Sequence, residues 1–294
     1  MSAAAVEASH LFKSFGKHEV LHDITTRVNP GDVVGVIGKN GAGKTTLLET
    51  LLGFSPPSSG STQIFGEDSL KMSAAVKSRI GFVPQQDELL PTLDGRRQLA
   101  LTASFYPQWD TALVDRLARE WELPLDRRAN ALSGGERQKL STLMALGHNP
   151  DLLVLDEPVA SLDPLARRRF LQQLLEIAGD ETRAVIFSSH IVSDLERVAN
   201  RIWMMRDGVL VWDGETDELK QAVKRLHITA KQKLPSDLGV RRIISERRGA
   251  DGLTATITVR DPESALAEGL AQRLNAHVES EGLGLEDIFL EIHA

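Results

Sequence analysis

The chain has 294 residues, 41% of them apolar and 26% charged, which is ordinary for a folded protein of about two domains and excludes a disordered, collagen-like or coiled-coil chain. Its 34 basic and 41 acidic residues leave a net charge of −7, the wrong sign for a protein that grips nucleic acid by neutralising phosphates, so no nucleic-acid partner is expected. Cysteine is absent, which excludes disulfides, thiolate metal sites and thiol nucleophiles. No run approaches the roughly 18 uninterrupted apolar residues of a membrane span. Residues 1–10 lack the basic start and apolar core of a secretory leader, so a cytoplasmic location is the expectation.

In chain order, residues 33–37 form an apolar, β-branched run that leads into a glycine-rich turn. A helical pattern then covers 45–52, with Leu47, Leu48, Leu51 and Leu52 on one face. Residues 92–147 read as a mostly helical lobe. Two further apolar runs, 152–155 and 184–187, end respectively at Asp156-Glu157 and at Ser188-Ser189-His190. Three buried-type strands with polar C-terminal ends predict a parallel sheet whose ligands lie at that edge. Residues 201–212 read as a hairpin turning at Asp207-Gly208. After residue 214 the character changes: a helix is expected at 219–226, strands at 227–231, 240–246 and 253–259, and an amphipathic helix at 262–276. This divides the chain into 1–214 and an accessory α/β domain at 215–294, with net charges of −4 and −3, so neither part is a basic module. The arginine run 167–169 and the pairs at 96–97, 127–128 and 247–248 read as solvated faces.

Gly38-Lys39-Asn40-Gly41-Ala42-Gly43-Lys44-Thr45 fits the phosphate-loop pattern, in which glycines let backbone N–H groups turn inward around phosphates at a helix start. Lys44 would reach the β- and γ-phosphates and the Thr45 hydroxyl would ligate Mg²⁺. The 152–155 strand delivers Asp156 to the same edge, where a carboxylate holds Mg²⁺ directly or through water. Successive strand residues point to opposite faces, so Glu157 is assigned instead to the attacking water as general base or orienter.

Leu132-Ser133-Gly134-Gly135-Glu136-Arg137-Gln138 looks like the signature motif of ATP-binding cassette (ABC) ATPases, and it stands 23 residues before Asp156 as in that family. The resemblance covers about residues 6–214. It implies a P-loop NTPase fold of the α/β class: a parallel core sheet, an antiparallel β subdomain and a helical subdomain, here followed by the accessory domain. By resemblance, ATP is bound by Gly38, Asn40, Gly41, Ala42, Gly43, Lys44, Thr45 and Thr46, with adenine stacked on Phe15; Phe12 is the competing aromatic. The Q-loop glutamine is Gln85, beside Gln86, and would touch Mg²⁺ or the attacking water. His190 is the switch histidine and Asp163 the D-loop aspartate. Ser133, Gly134, Gly135 and Glu136 would face the nucleotide held by another subunit. One phosphate loop per chain then implies a two-fold homodimer around two Mg-ATP.

The same resemblance implies a separate membrane permease, received after Gln85 and on the helical lobe, and hence a peripheral position on the inner face of the cell membrane. Chain length, Phe105-Tyr106-Pro107-Gln108-Trp109-Asp110 and the ending 285–291 are similar to ATPase subunits of bacterial ABC-2-type exporters. Import, and a soluble assembly-scaffold ATPase without a permease, are the alternatives. ATP-binding subunits do not touch the cargo, so the sequence names none.

Overall fold

Alternating burial along β1 (Val6–Phe15) and β2 (His18–Val28) makes a one-faced antiparallel pair, with Val6, Ala8 and Leu11 turned inward opposite Leu21, Ile24 and Val28. β3 (Val33–Ile37) is buried at all five positions and leads through a glycine-rich turn into α1 (Lys44–Leu51). β4 (Ser59–Ile64) and β5 (Glu67–Asp68) complete the first sheet in the order β2-β1-β4-β5. The short α2 (Ala74–Lys77) leads to β6 (Ile80–Val83).

A helical stretch follows: α3 (Gly95–Ala103) and α4 (Thr111–Glu120), N-capped by Asp94 and Asp110, then α5 (Gly134–Leu146). Next come β7 (Leu152–Leu155), α6 (Pro164–Ala178), β8 (Ala184–Ser188), α7 (Val192–Val198), β9 (Arg201–Arg206) and β10 (Val209–Glu215). The second sheet has the order β10-β9-β3-β8-β7-β6, with β9, β3, β8, β7 and β6 mutually parallel. Leu11 and Ile24 of the first sheet, Val36, Val154, Ile186 and Trp203 of the second, and Leu47, Leu48 and Leu51 of α1 belong to one core. This computed structural model describes residues 4–178, 182–262 and 265–293.

The chain divides into two units, Met1–Asp213 and Gly214–Ala294. The second contains α8 (Thr216–Ala222), β11 (Val223–Ala230), β12 (Ile243–Arg248), β13 (Thr254–Arg260), α9 (Leu266–Leu274), β14 (Ala276–Gly282) and α10 (Leu285–Ile292). Its antiparallel sheet, β12-β13-β11-β14, buries Leu226, Ile228, Ile257 and Val259 with Leu270 of α9.

The predicted helix at 219–226 is wrong in its second half: α8 stops at Ala222 and residues 223–226 open β11. Apolar residues at 219, 223 and 226 fit a helical stripe, but Leu226, Ile228 and Ala230 also alternate, and pairing with both β13 and β14 decides for the strand. On α10, the buried Glu291 accepts hydrogen bonds from Arg225 Nη2 (2.9 Å), Arg247 Nη2 (3.2 Å) and the Ser245 hydroxyl, which fastens the helix to its sheet.

Candidate nucleotide site

Strand order sets the site. β3, β8, β7 and β6 lie side by side and parallel, so their C-terminal ends release the 38–44 loop, Ser188 to His190, Asp156-Glu157 and Gln85 along one edge. A cavity of about 310 Å³ opens there, lined by Asn40, Gly41, Gly43, Lys44, Thr45, Thr46, Gln85, Glu157 and Val20. Gly41 and Gly43 have φ of +82° and +99°, a region that other L-residues rarely adopt. A Cβ on Gly43 would also crowd Leu21 Cδ2 at 3.0 Å and Val20 O at 3.2 Å. This turn starts α1 at Lys44, so its free N–H groups and the positive end of its dipole face the cavity.

Lys44 is buried and held from both sides. Its Nζ donates to Gly38 O (2.9 Å) and Lys39 O (3.5 Å) and lies 3.9 Å from Glu157 Oε1. Gly38 and Ala42 are not among the lining residues. The Ala42 carbonyl accepts from Gly208 N (3.2 Å), while Gly208 O accepts from His22 N (2.9 Å), so the β9–β10 turn ties the phosphate loop to β2. A Cβ on Gly208 would overlap Val20 O.

The two adjacent carboxylates are separated by the backbone. Asp156 is 1% exposed at the end of β7, and Glu157 (6% exposed) takes a left-handed φ of +52°, a conformation that costs a non-glycine residue roughly 1–2 kcal/mol. The turn sends Glu157 into the cavity and leaves Asp156 at the strand edge behind it. Ser188 joins them: its hydroxyl donates to Asp156 Oδ1 (2.5 Å) and accepts from Glu157 N (2.8 Å). His190 Nδ1–H donates to Glu157 Oε2 (2.6 Å), and its ring is half exposed. The general-base candidate therefore sits between a lysine and a histidine.

Of the two glutamines, Gln85 lines the cavity and Gln86 does not. Phe15 lies outside the cavity at the end of β1, 54% exposed, with Lys13 Nζ 4.7 Å from its ring centroid; Phe12 is half-buried. Ser133, Gly134, Gly135 and Glu136 are not among the lining residues either. Ser133 caps α5 in a reciprocal pair, accepting from Glu136 N (3.2 Å) while its own N–H donates to Glu136 Oε2 (2.7 Å). The bond from Ser133 N–H is the main reason the Glu136 carboxyl is held below the usual range. Asp163 is exposed and caps α6, accepting from Leu165 N and Ala166 N at 3.0 Å each; these bonds, Ala166 first, keep it ionised to lower pH than usual.

Three contacts carry no signal in the sequence. Ser188 looks like one more polar residue at a strand end, and only its place between two carboxylates marks it. Asp87 Oδ2 accepts from Arg137 Nε (2.9 Å), while Arg137 Nη1 donates to Leu132 O (3.1 Å), which joins the segment after Gln85 to the start of α5. Arg167, read as part of a solvated run, is instead mostly buried against Asp194.

Residues 21–160 match the family profile described as ABC transporter. The chain is 31% identical to the Nod factor export ATP-binding protein I of Burkholderia thailandensis, across 99% of this chain and 98% of that one. It is 34% identical to phosphonates import ATP-binding protein PhnC 2 of Roseobacter denitrificans, across 73% of this chain and 86% of that one. A solved ATP-binding subunit of an ABC transporter superposes with a TM-score of 0.67 at 27% identity, covering 74% of this chain and 92% of its own. End-to-end similarity of this order, on a sheet whose edge carries a lysine-filled phosphate loop beside paired carboxylates, places the chain in the family of ABC transporter ATP-binding proteins, the ATP-hydrolysing cassettes.

Proposed function

We propose that the chain powers export by pairing with a second copy of itself and with a separate membrane permease. One observation carries the pairing. Lys44, Thr45, Gln85 and Glu157 share one cavity, whereas Ser133 to Glu136 do not line it, although the capped start of α5 offers Gly134 and Gly135 N–H groups of the kind that bind phosphate. A copy related by two-fold symmetry supplies these groups to the cavity, and Asp163 then lies at the seam between subunits.

In this reading Asn40 to Thr46 and Lys44 Nζ hold the phosphates, and the exposed ring of Phe15 stacks on adenine. The donor set fits Mg²⁺. Among the described residues no cluster of three or more His, Cys, Asp or Glu side chains is placed to hold a metal. Thr45, Gln85 and, from behind, Asp156 provide hard oxygen donors for an ion that keeps water and phosphate oxygens as its other ligands. Bound Mg²⁺ neutralises phosphate charge; Glu157 orients the water and takes its proton, and His190 sets that carboxylate.

Export is favoured over import because the export-named relative matches across both units, while the import-named one covers 73% of the chain. The relatives offer no support for a scaffold without a permease. No described helix is long and apolar enough to cross a membrane. In the proposed reading the permease is a separate chain and the cassette is peripheral to it.

The test is to trap tagged Glu157→Gln protein with Mg-ATP in detergent-solubilised host membranes and identify what co-purifies. A multi-span protein at fixed ratio is the expected result. A clean soluble complex would contradict the transporter reading and leave the ATPase chemistry intact.

A further inference from the structure

The helix after the D-loop and the helix after His190 enclose a cavity of about 430 Å³, lined by Pro164, Arg167, Arg168, Leu171, Asp194 and Arg197 among others. Arg167 is only 21% exposed and Asp194 14%. The guanidinium spans two functional turns. Its Nη2 donates to Leu162 O (3.3 Å), the carbonyl just before Asp163, and its Nε lies 3.7 Å from Asp194 Oδ2. Asp194 is in the first turn of α7, anchored by its N–H to Ile191 O (3.2 Å) directly after His190.

The pair is within Coulombic range and short of a hydrogen bond, and both Nε and Oδ2 are buried with no hydrogen-bond partner among the described residues. Charged partners of this kind normally meet at about 2.7–2.9 Å, so an approach of about 1 Å satisfies both atoms at once. Leu162 extends the chain of contacts: a Cβ on Gly135 would touch Leu162 Cδ2 at 3.1 Å and Ser161 O at 3.0 Å, so the start of α5 packs on the same turn. Burial pushes the Asp194 carboxyl up, and Arg167 and Arg197 pull it back toward ionisation.

We propose that Arg167 is a positioning residue, which closes on Asp194 to lock the turn at Leu162-Asp163 to the start of α7 and thereby sets His190 for turnover. This rests on the roles proposed above for His190 and Asp163. Neither Arg167 nor Asp194 lines the nucleotide cavity, so the pair acts on rate through geometry and leaves nucleotide binding alone. Misplacement of a reacting group by 1 Å costs up to about 100-fold in rate, which sets the scale of the effect.

The test is steady-state ATP hydrolysis by the full chain with Arg167→Met, Asp194→Asn and both together, each also made in a His190→Ala background. Expected are kcat losses of about 10- to 100-fold in each single variant with KM for ATP within about threefold, no further loss in the double, and no effect of Arg167→Met once His190 is removed. Losses that multiply in the double variant, a change in KM without one in kcat, or wild-type kcat in a folded Arg167→Met protein would overturn the proposal. Asp194→Asn is isosteric and probes the same link from the other side should Arg167→Met not fold. Full turnover in His190→Ala would instead remove the switch reading, and the proposal with it.

Discussion

Deleting the Ser188 hydroxyl disconnects Asp156 from Glu157. Ser188→Ala leaves Glu157 N–H, now buried, without an acceptor, a loss of roughly 1–3 kcal/mol that denaturant melts will read. With Glu157 in its proposed role, turnover should fall about 10- to 100-fold because the residue loses the bond that fixes its left-handed turn, while ATP affinity should stay within about threefold. Nucleotide titration alongside kinetics separates the two. His148 makes a different prediction. It is buried, stacked on Tyr106 with ring centroids 3.9 Å apart, and its Nε2–H donates to Ile80 O (3.0 Å). Burial lowers its pKa below the ordinary 6.5, only partly opposed by the Ile80 and Met144 carbonyls. A histidine with a depressed folded pKa binds its proton more readily when unfolded, so stability is lost as pH falls below 6.5, until the folded pKa is passed. Urea midpoints measured from pH 7.5 downward should show this acid limb in the wild type and a flatter one in His148→Gln.

The elements differ in how openly the sequence declares them. β3, β7 and β8 are continuous apolar runs because helices or sheet cover both faces, and such runs stand out. β14 is an edge strand of mostly polar residues, 276–282, and carries no periodic signal of its own; it forms because β11 offers a partner. The α8–β11 boundary is hidden for the related reason that one set of apolar residues serves two periods. At the site, spacing marks the phosphate loop and the acids that end β7 mark Glu157, whereas Gln85 comes into view only through the resemblance to ABC ATPases. Ser188, Asp87 and Arg167 act on other protein groups across 31, 50 and 27 residues of chain, and a motif cannot display them. The Asp87–Arg137 link is testable at this scale. Arg137→Met unties α5 from the segment after Gln85, so kcat should fall several-fold with KM for ATP unchanged. Ser133→Ala, which removes the cap, should cost about 1 kcal/mol of stability in a denaturant melt.

At the scale of the whole molecule, the proposed pairing of two copies rests on Ser133 not lining the Lys44 cavity. Lys44→Ala removes one half-site and Ser133→Arg the other. Each variant alone should be inactive, and a mixture should regain ATPase activity, because a mixed dimer holds one cavity in which both halves are intact. No recovery on mixing, with dimers demonstrated by sedimentation, would place both halves in one chain. The unit Gly214–Ala294 owns its core, closed by Glu291 beneath Arg225, Arg247 and Ser245. Burial pushes the Glu291 carboxyl up, but these donors outweigh it and hold it below the usual range, so their contribution is present at neutral pH and lost on acidification through that lowered pKa.

The turn at Asp207-Gly208 also has a consequence in time. β3, which launches the phosphate loop, is seated between β8 and β9, and the loop itself is pinned at Ala42 by Gly208. All three partners lie far downstream, so a chain emerging from the ribosome exposes the β3 run, and the loop after it, long before anything exists to hold them. The nascent protein is therefore expected to gain its grip on ATP only after residue 208 has cleared the exit tunnel, late in synthesis rather than when the motif is first translated. Truncated chains halted on the ribosome before and after that point should differ accordingly in nucleotide retention.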